Sequence, residues 1–270
     1  MANDFFWRHP PWQKNSNTNE PQVVQGRHRL GMRPVSTPPL APASVAERRN
    51  KLQQLQDHYG QVCATTQHSS AAQQLLTDFW RTQGGTLSDS YPDPIANVAA
   101  SVGPDLALMD LDDNLRLVAA CICAPSYWSL TEKIGHPLAV IHSPVPNLEQ
   151  DIGALIARFM QQLPADQGFG RRNWFLHADA ELFHPFEEGD DMPAVQDWVM
   201  RSEFQIMYRL SPRYLLFSIR IVVEPLADIA VYPAARTTLQ KALQTMSPAE
   251  LEHFGGEEKR DALQRWLATC

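Results

Sequence analysis

Cysteine is scarce in this chain and badly spaced for a metal. Four occur in 270 residues, at positions 63, 121, 123 and 270, and no two form a C-x-x-C pair. That argues against a zinc or iron–sulfur centre built by this chain alone. Long apolar runs are absent too: no stretch reaches the length of a membrane-spanning helix. Clustered basic charge is absent. Lys and Arg number 23 against 30 Asp and Glu, giving a net charge of −7. No stripe of cations is available to neutralise phosphates, so no nucleic-acid partner is expected. A G-x-G-x-x-G turn and a flavin signature are both missing, so the chain is not expected to oxidise NADPH itself. The N-terminus has no basic segment followed by a long apolar stretch. No secretory signal is expected, and reduced thiols in the cytoplasm follow as the expected state.

Proline, by contrast, is plentiful, with 21 residues. Residues 1–44 are rich in Pro, Asn, Gln and Ser and read as an extended arm. Phe5, Phe6, Trp7 and Trp12 make its first tract apolar enough to need cover from the body or a partner. Residues 45–104 read as a helical region. Ser44 and Glu47 have capping-box spacing for a helix ending near Gly60. A second helix spans 71–82, with Leu75, Leu76, Phe79 and Trp80 on one stripe, and Gly84-Gly85 stops it. A short helix is expected at 95–101. Residues 105–225 then change character. Strands are expected at 106–111 and 115–124 around the turn Asp112-Asp113-Asn114. A helix from Asn147 carries Leu148, Ile152, Leu155, Ile156, Phe159, Met160 and Leu163 at helical spacing. Three strands follow at 173–177, 198–210 and 214–223. Residues 226–270 are helical again, with a capping box at Ser247 and Glu250, and Gly255-Gly256 separating the last two helices. The fold class is therefore α+β: a five-stranded antiparallel sheet with a helical crossover, flanked by N- and C-terminal helices. A sheet with one face covered by a crossover leaves room for a cofactor-sized cavity.

The most informative stretch lies between the second strand and the crossover helix. It reads Pro125-Ser126-Tyr127-Trp128, then Lys133-Ile134-Gly135-His136-Pro137, then Ile141-His142-Ser143-Pro144-Val145-Pro146. Each proline fixes its own φ and restricts the residue before it. His142 is thus aimed by a stiffened segment and follows the apolar run Leu138-Ala139-Val140-Ile141. Two readings are open from spacing. One is a histidine that closes a strand and bonds a nearby carbonyl, the commoner case, since one histidine is no metal site. The other is a metal or haem ligand. His177 and His184 are rivals for the second role, and Cys121 or Cys123 as thiolate are others. Glu203, Gln205 and Arg209 alternate along one strand and share a face, opposite Phe204, Ile206 and Tyr208. Such a face is either solvated or the polar wall of a cavity. Lys133, Arg33, Arg209 and Arg220 read as surface cations from composition alone. Trp128 and Trp174 read as core or cavity wall.

The stretch around His142 resembles the most characteristic motif of the haem-dependent oxidative N-demethylase alpha-subunit family. Further motifs follow in the family's order: Arg29-Leu30-Gly31-Met32-Arg33-Pro34, Asn173-Trp174-Phe175-Leu176, Leu182-Phe183-His184-Pro185 and Arg201-Ser202-Glu203-Phe204-Gln205. The resemblance runs from about residue 27 to about 266. It implies a PAS-like fold, whose element order matches the one read above, and haem b with its iron on His142. It implies Lys133, Arg33, Arg209 and Trp128 around the cofactor and Glu203 and Gln205 in catalysis. It also implies an oxygen-dependent monooxygenase reaction that removes a methyl group from a small alkylamine such as dimethylamine, with electrons from separate reductase subunits. The family's Glu-Arg-Gln-Thr-Leu pattern here reads Glu203-Phe204-Gln205-Ile206-Met207, so one guanidinium of that pattern is missing. A different class of reading, a non-catalytic haem or small-ligand PAS-like sensor or assembly protein, draws on that departure, and a paralogue without haem is the third.

Overall fold

A computed structural model of the chain describes residues 4–12, 30–143, 149–186, 189 and 192–270. Among these, seven strands form one sheet: β1 Arg33–Val35, β2 Cys63–Thr65, β3 Asp105–Asp110, β4 Arg116–Cys121, β5 Gly168–His177, β6 Val199–Arg209 and β7 Tyr214–Pro225. They lie in the order β1-β5-β6-β7-β3-β4-β2, and every pairing is antiparallel. The five expected strands are all there, but the sheet has seven. The two additions are three-residue strands too short to show an alternation. Each covers an edge that would otherwise expose unpaired backbone. β1 carries Pro34, a residue tolerated on an edge strand. β5 begins at Gly168, five residues before the expected Asn173, because two glycines hide it. A Cβ on Gly170 would sit 3.1 Å from Val35 Cγ1 and 3.2 Å from both the Gln205 carbonyl and the Phe204 ring. Only glycine lets β1, β5 and β6 lie so close there.

The expected helices form where their caps place them. Ser44 and Glu47 cap Val45–Asp57 reciprocally, and Ser247 and Glu250 do the same for Pro248–Phe254. The turn between β3 and β4 takes one residue more than expected. Asn114 and Leu115 both have left-handed φ, of 52° and 56°, so the strand starts at Arg116. The crossover enters through a π-helical turn, Glu149–Gly153, before the α-helix Ala154–Gln162. The expected start at Asn147 and Leu148, like Arg29 and the Pro144-Val145-Pro146 end of the His142 motif, lies outside the described residues.

The sheet has two unlike faces. On the outer face, Leu106, Leu108, Cys121 and Leu216 pack with Leu55, Leu76 and Ile95 of the N-terminal helices. Further along that face, Leu176 and Met200 pack with Leu239, Leu263 and Leu267 of the C-terminal helices. Phe6, Trp7 and Trp12 join this second cluster, and Trp12 Nε1 donates to the Ala235 carbonyl at 3.2 Å. The aromatic tract at the N-terminus is therefore covered by the chain's own C-terminal helices. The inner face is the site's floor. The crossover helix buries Ile156 and Met160 against Ala107, Met109, Leu117 and Leu215 at the β3–β4 end. At the other end of the same face the crossover leaves β5, β6 and β7 without an apolar lid among the described residues.

Candidate functional site

Strand register decides which side chains meet at that end of the inner face. Directly paired residues share a face. Arg171 pairs with Gln205, Asn173 with Glu203 and Phe175 with Arg201. On the next strand, Gln205 pairs with Ile219, Glu203 with Ile221 and Arg201 with Val223. A polar row on β5 and β6 thus lies beside an apolar row on β7. Ile219, Ile221 and Val223 stay partly exposed although β7 is a central strand. They belong to none of the apolar clusters among the described residues.

The polar row is tightly connected. Arg171 Nε donates to Gln205 Oε1 at 2.7 Å, and Gln205 Nε2 donates to Glu203 Oε2 at 2.9 Å. The other oxygen of Glu203 is 3.8 Å from Nε of Arg201, whose side chain is wholly buried. Burial pushes the Glu203 carboxyl above the usual carboxylate range. Arg201, the Gln205 hydrogen bond and Arg171 pull the other way without cancelling it. Burial also lowers the Arg171 and Arg201 guanidiniums, and Glu203 counters it in both.

His142 sits at the end of a short helix, Leu138–Ile141, and its N–H donates to the Leu138 carbonyl at 3.0 Å. It closes a helical turn, not a strand. Burial, then the charges of Arg171 and Lys133, push its pKa from 6.5 down to about 4. The ring is therefore neutral at physiological pH, the form that ligates iron. Lys133, at the end of Leu130–Lys133, and Arg171 both stand near enough for their charges to act on it. Trp128, like Leu138 and Ile141, packs against the inner-face cluster that contains Leu130. Arg171 is thus the link between the two groups: its charge acts on His142, and it is bonded to Gln205, which holds Glu203.

Two expected site residues lie elsewhere. Arg33 is paired with Gly170, which places it on the outer face. Arg209 has Nε on the Leu163 carbonyl at 2.6 Å, with further bonds to Met160, Gln161 and Pro212 carbonyls, so it closes the crossover helix. Among the rivals, Cys121 and Cys123 face the outer core with Cys63, and mutual hydrogen bonding and burial push the Cys121 thiol up. His177 is buried at the far end of the inner face, with Nε2 2.9 Å from Ser126 Oγ, and its pKa is pushed down to about 3 by burial and then by Arg201. His184 lies 3.2 Å from Asp179 and packs its ring against Tyr127. Phe204 is on the outer face, paired with Arg220 and Arg172. The arginine missing at 204 is thus absent from the other side of the sheet, whereas Arg171 and Arg201 flank Glu203. The sequence reading missed both. Arg201 had a signal, two residues before Glu203 on one strand. Arg171 had none, since only the β5–β6 register sets it against Gln205.

A family model described as haem-dependent oxidative N-demethylase, alpha subunit-like, matches residues 38–263. The chain belongs to that family.

Proposed function

We propose that this chain is the haem-bearing catalytic subunit of an oxidative N-demethylase acting on a small secondary amine. The observation that carries the reading is the composition of the inner-face floor. A neutral, half-buried histidine stands near two cations, one of which is bonded through Gln205 to a mostly buried carboxylate, and the strand beside that carboxylate presents a row of partly exposed apolar side chains. That set suits haem b: His142 would bind the iron, Lys133 and Arg171 would meet the propionates, and Trp128 and the β7 row would contact the ring. No group of three or more metal-ligating side chains occurs among the described residues, and haem needs only one from the protein. When bound, haem supplies the activation of O₂. The chain's own residues do the rest. Glu203 holds the alkylammonium by charge, because an unpaired buried cation is costly. Gln205 fixes the carboxylate's second oxygen, and the β7 row excludes water from the methyl groups. One oxygen atom leaves in formaldehyde and the other in water, with electrons from separate reductase subunits. The five strands β5-β6-β7-β3-β4, with the crossover between β4 and β5, support a PAS-like core over 105–225. The preceding arm and helices and the terminal helices would be its additions.

A haem titration tests the reading. The chain should develop a Soret band that small methylated amines perturb, and His142→Ala should lose it. Glu203→Gln should keep the haem and weaken amine binding by ~1–3 kcal/mol, the scale of a charged hydrogen bond. A normal spectrum in His142→Ala, with haem lost in His177→Ala, would move the ligand. If millimolar amines leave the parent spectrum unchanged, the sensor reading takes its place.

A further inference from the structure

Arg201 is the most deeply placed charge on the inner face. Its side chain is 0% exposed. One terminal nitrogen donates to the Ala124 carbonyl, and the other lies 3.4 Å from the Leu182 carbonyl. Its Nε is buried without a hydrogen-bond partner, and Glu203 Oε1 is 3.8 Å away. The Ala124 peptide it grips is held at its other end as well. The Ala124 N–H donates to Asp105 Oδ2 at 2.9 Å, and Asp105 is bonded in turn to Lys51 at 2.9 Å. Ala124 opens the segment that carries Ser126, Tyr127 and Trp128. Leu182 opens the one that carries His184, and a parallel bridge joins Ser126 to His184. Tyr127 takes a left-handed φ of 59° there, held by a 2.8 Å bond from its N–H to the His184 carbonyl. One guanidinium therefore ties two loops to the strand that bears Glu203.

We propose that Arg201 is the positioning residue of this site, holding Glu203 as a carboxylate anion and the two loops in register beside it. The inference rests on Glu203 being the ammonium-binding group, and deepens that reading. An unpaired buried guanidinium N–H is costly. A neutral Glu203 would leave the Arg201 charge with less compensation than it has now. The charged groups acting on Glu203 from the packed elements are Arg201 on its own strand, Arg171 on β5 and Asp105 on β3. The facing β7 residues, Ile219, Ile221 and Val223, are apolar. Arg201 alone among them is fully buried and also bonded to both loops.

The test is the titration of the Glu203 carboxyl carbon by ¹³C NMR, its resonance assigned by its loss in Glu203→Gln. The full-length chain is used, with Arg201→Met, Arg201→Gln and Arg201→Lys. Met and Gln should raise the carboxyl's proton affinity by about tenfold or more, one pKa unit. Lys should keep it close to the parent. Gln removes the charge but keeps a polar amide where Met leaves only a thioether, so it serves should Met fail to fold. A Gln variant that titrates like the parent overturns the proposal. So does a Lys variant whose midpoint rises as far as that of Gln. Dimethylammonium binding, read by the haem spectrum, is the second arm. In the Gln variant it should weaken at neutral pH and recover at alkaline pH. A shifted midpoint in a chain whose parent binds no amine would keep Arg201's role and reject the demethylase reading instead.

Discussion

His142 and His177 are held neutral by where they lie, and that makes stability depend on pH. Their ordinary pKa of 6.5 falls to about 4 and about 3, in each case first through burial. Below 6.5 the unfolded chain binds protons that the folded chain refuses. Stability therefore rises with pH across this window and is lost on acidification. Once the pH has fallen through the folded values, the loss from each histidine is on the order of 3–5 kcal/mol. Glu203 works the other way. Its raised pKa means the folded chain keeps a proton that the unfolded chain releases, so its share falls as pH rises above the ordinary carboxylate value. Denaturant unfolding between about pH 4 and 6.5 should thus show stability falling toward acid, with both histidines outweighing one carboxyl. His177→Gln, which keeps a partner for Ser126, should flatten that slope. An unchanged slope would mean that His177 takes up its proton as readily in the folded chain as in the unfolded one. The histidine itself could be picked out from its proline-rich setting. Its neutrality could not, since Arg171 and Lys133 reach it only through the fold.

At the scale of elements, the crossover helix is fixed at its C-terminal end by a strand. Arg209 donates to the carbonyls of Met160 and Leu163, groups that a helix end leaves without partners. Arg209→Met should cost ~1–3 kcal/mol in denaturant unfolding, from lost charged hydrogen bonds at a helix C-terminus. The Soret position should stay the same, because those donors are already committed to the backbone. A spectral shift with unchanged stability would return Arg209 to the cofactor. Helix ends were legible in the sequence wherever a cap was local, as at Ser44 and Ser247. The cap that Arg209 provides lies 46 residues from Leu163 in the chain and leaves no local pattern. The same holds for β1 and β2, whose pairing depends on edges built much later in the chain.

In the whole molecule, one buried ion pair joins the N-terminal helices to the sheet. Lys51 Nζ is 2.9 Å from Asp105 Oδ1 and donates to the Pro104 carbonyl at 2.8 Å; the two side chains are 4% and 2% exposed. Burial alone would lower the Lys51 pKa, yet the Asp105 carboxylate, foremost among the groups raising it, turns the net shift upward. Removing one partner of such a pair strands the other charge in the interior. Lys51→Met should therefore cost ~3–5 kcal/mol, the range for breaking a buried pair, and Lys51→Met with Asp105→Asn should recover part of it. Unfolding of both variants by denaturant checks this. If the single variant loses nothing, the Val45–Asp57 helix docks by its apolar contacts and the pair is idle.

Local patterns in the sequence determined the order of helices and strands, the capped helix starts, the apolar stripes and the stiffened approach to His142. These are set by neighbours within a turn or a strand pair, so the chain states them directly. Only the tertiary structure decided which face each polar residue serves. A strand gives its residues two faces, but the identity of the residue opposite depends on register, and a shift of one position would turn every side chain over. That is why Glu203 and Gln205 could be named from the strand, whereas Arg171 beside them, Arg33 behind them and the buried hub at Arg201 waited on how seven strands align.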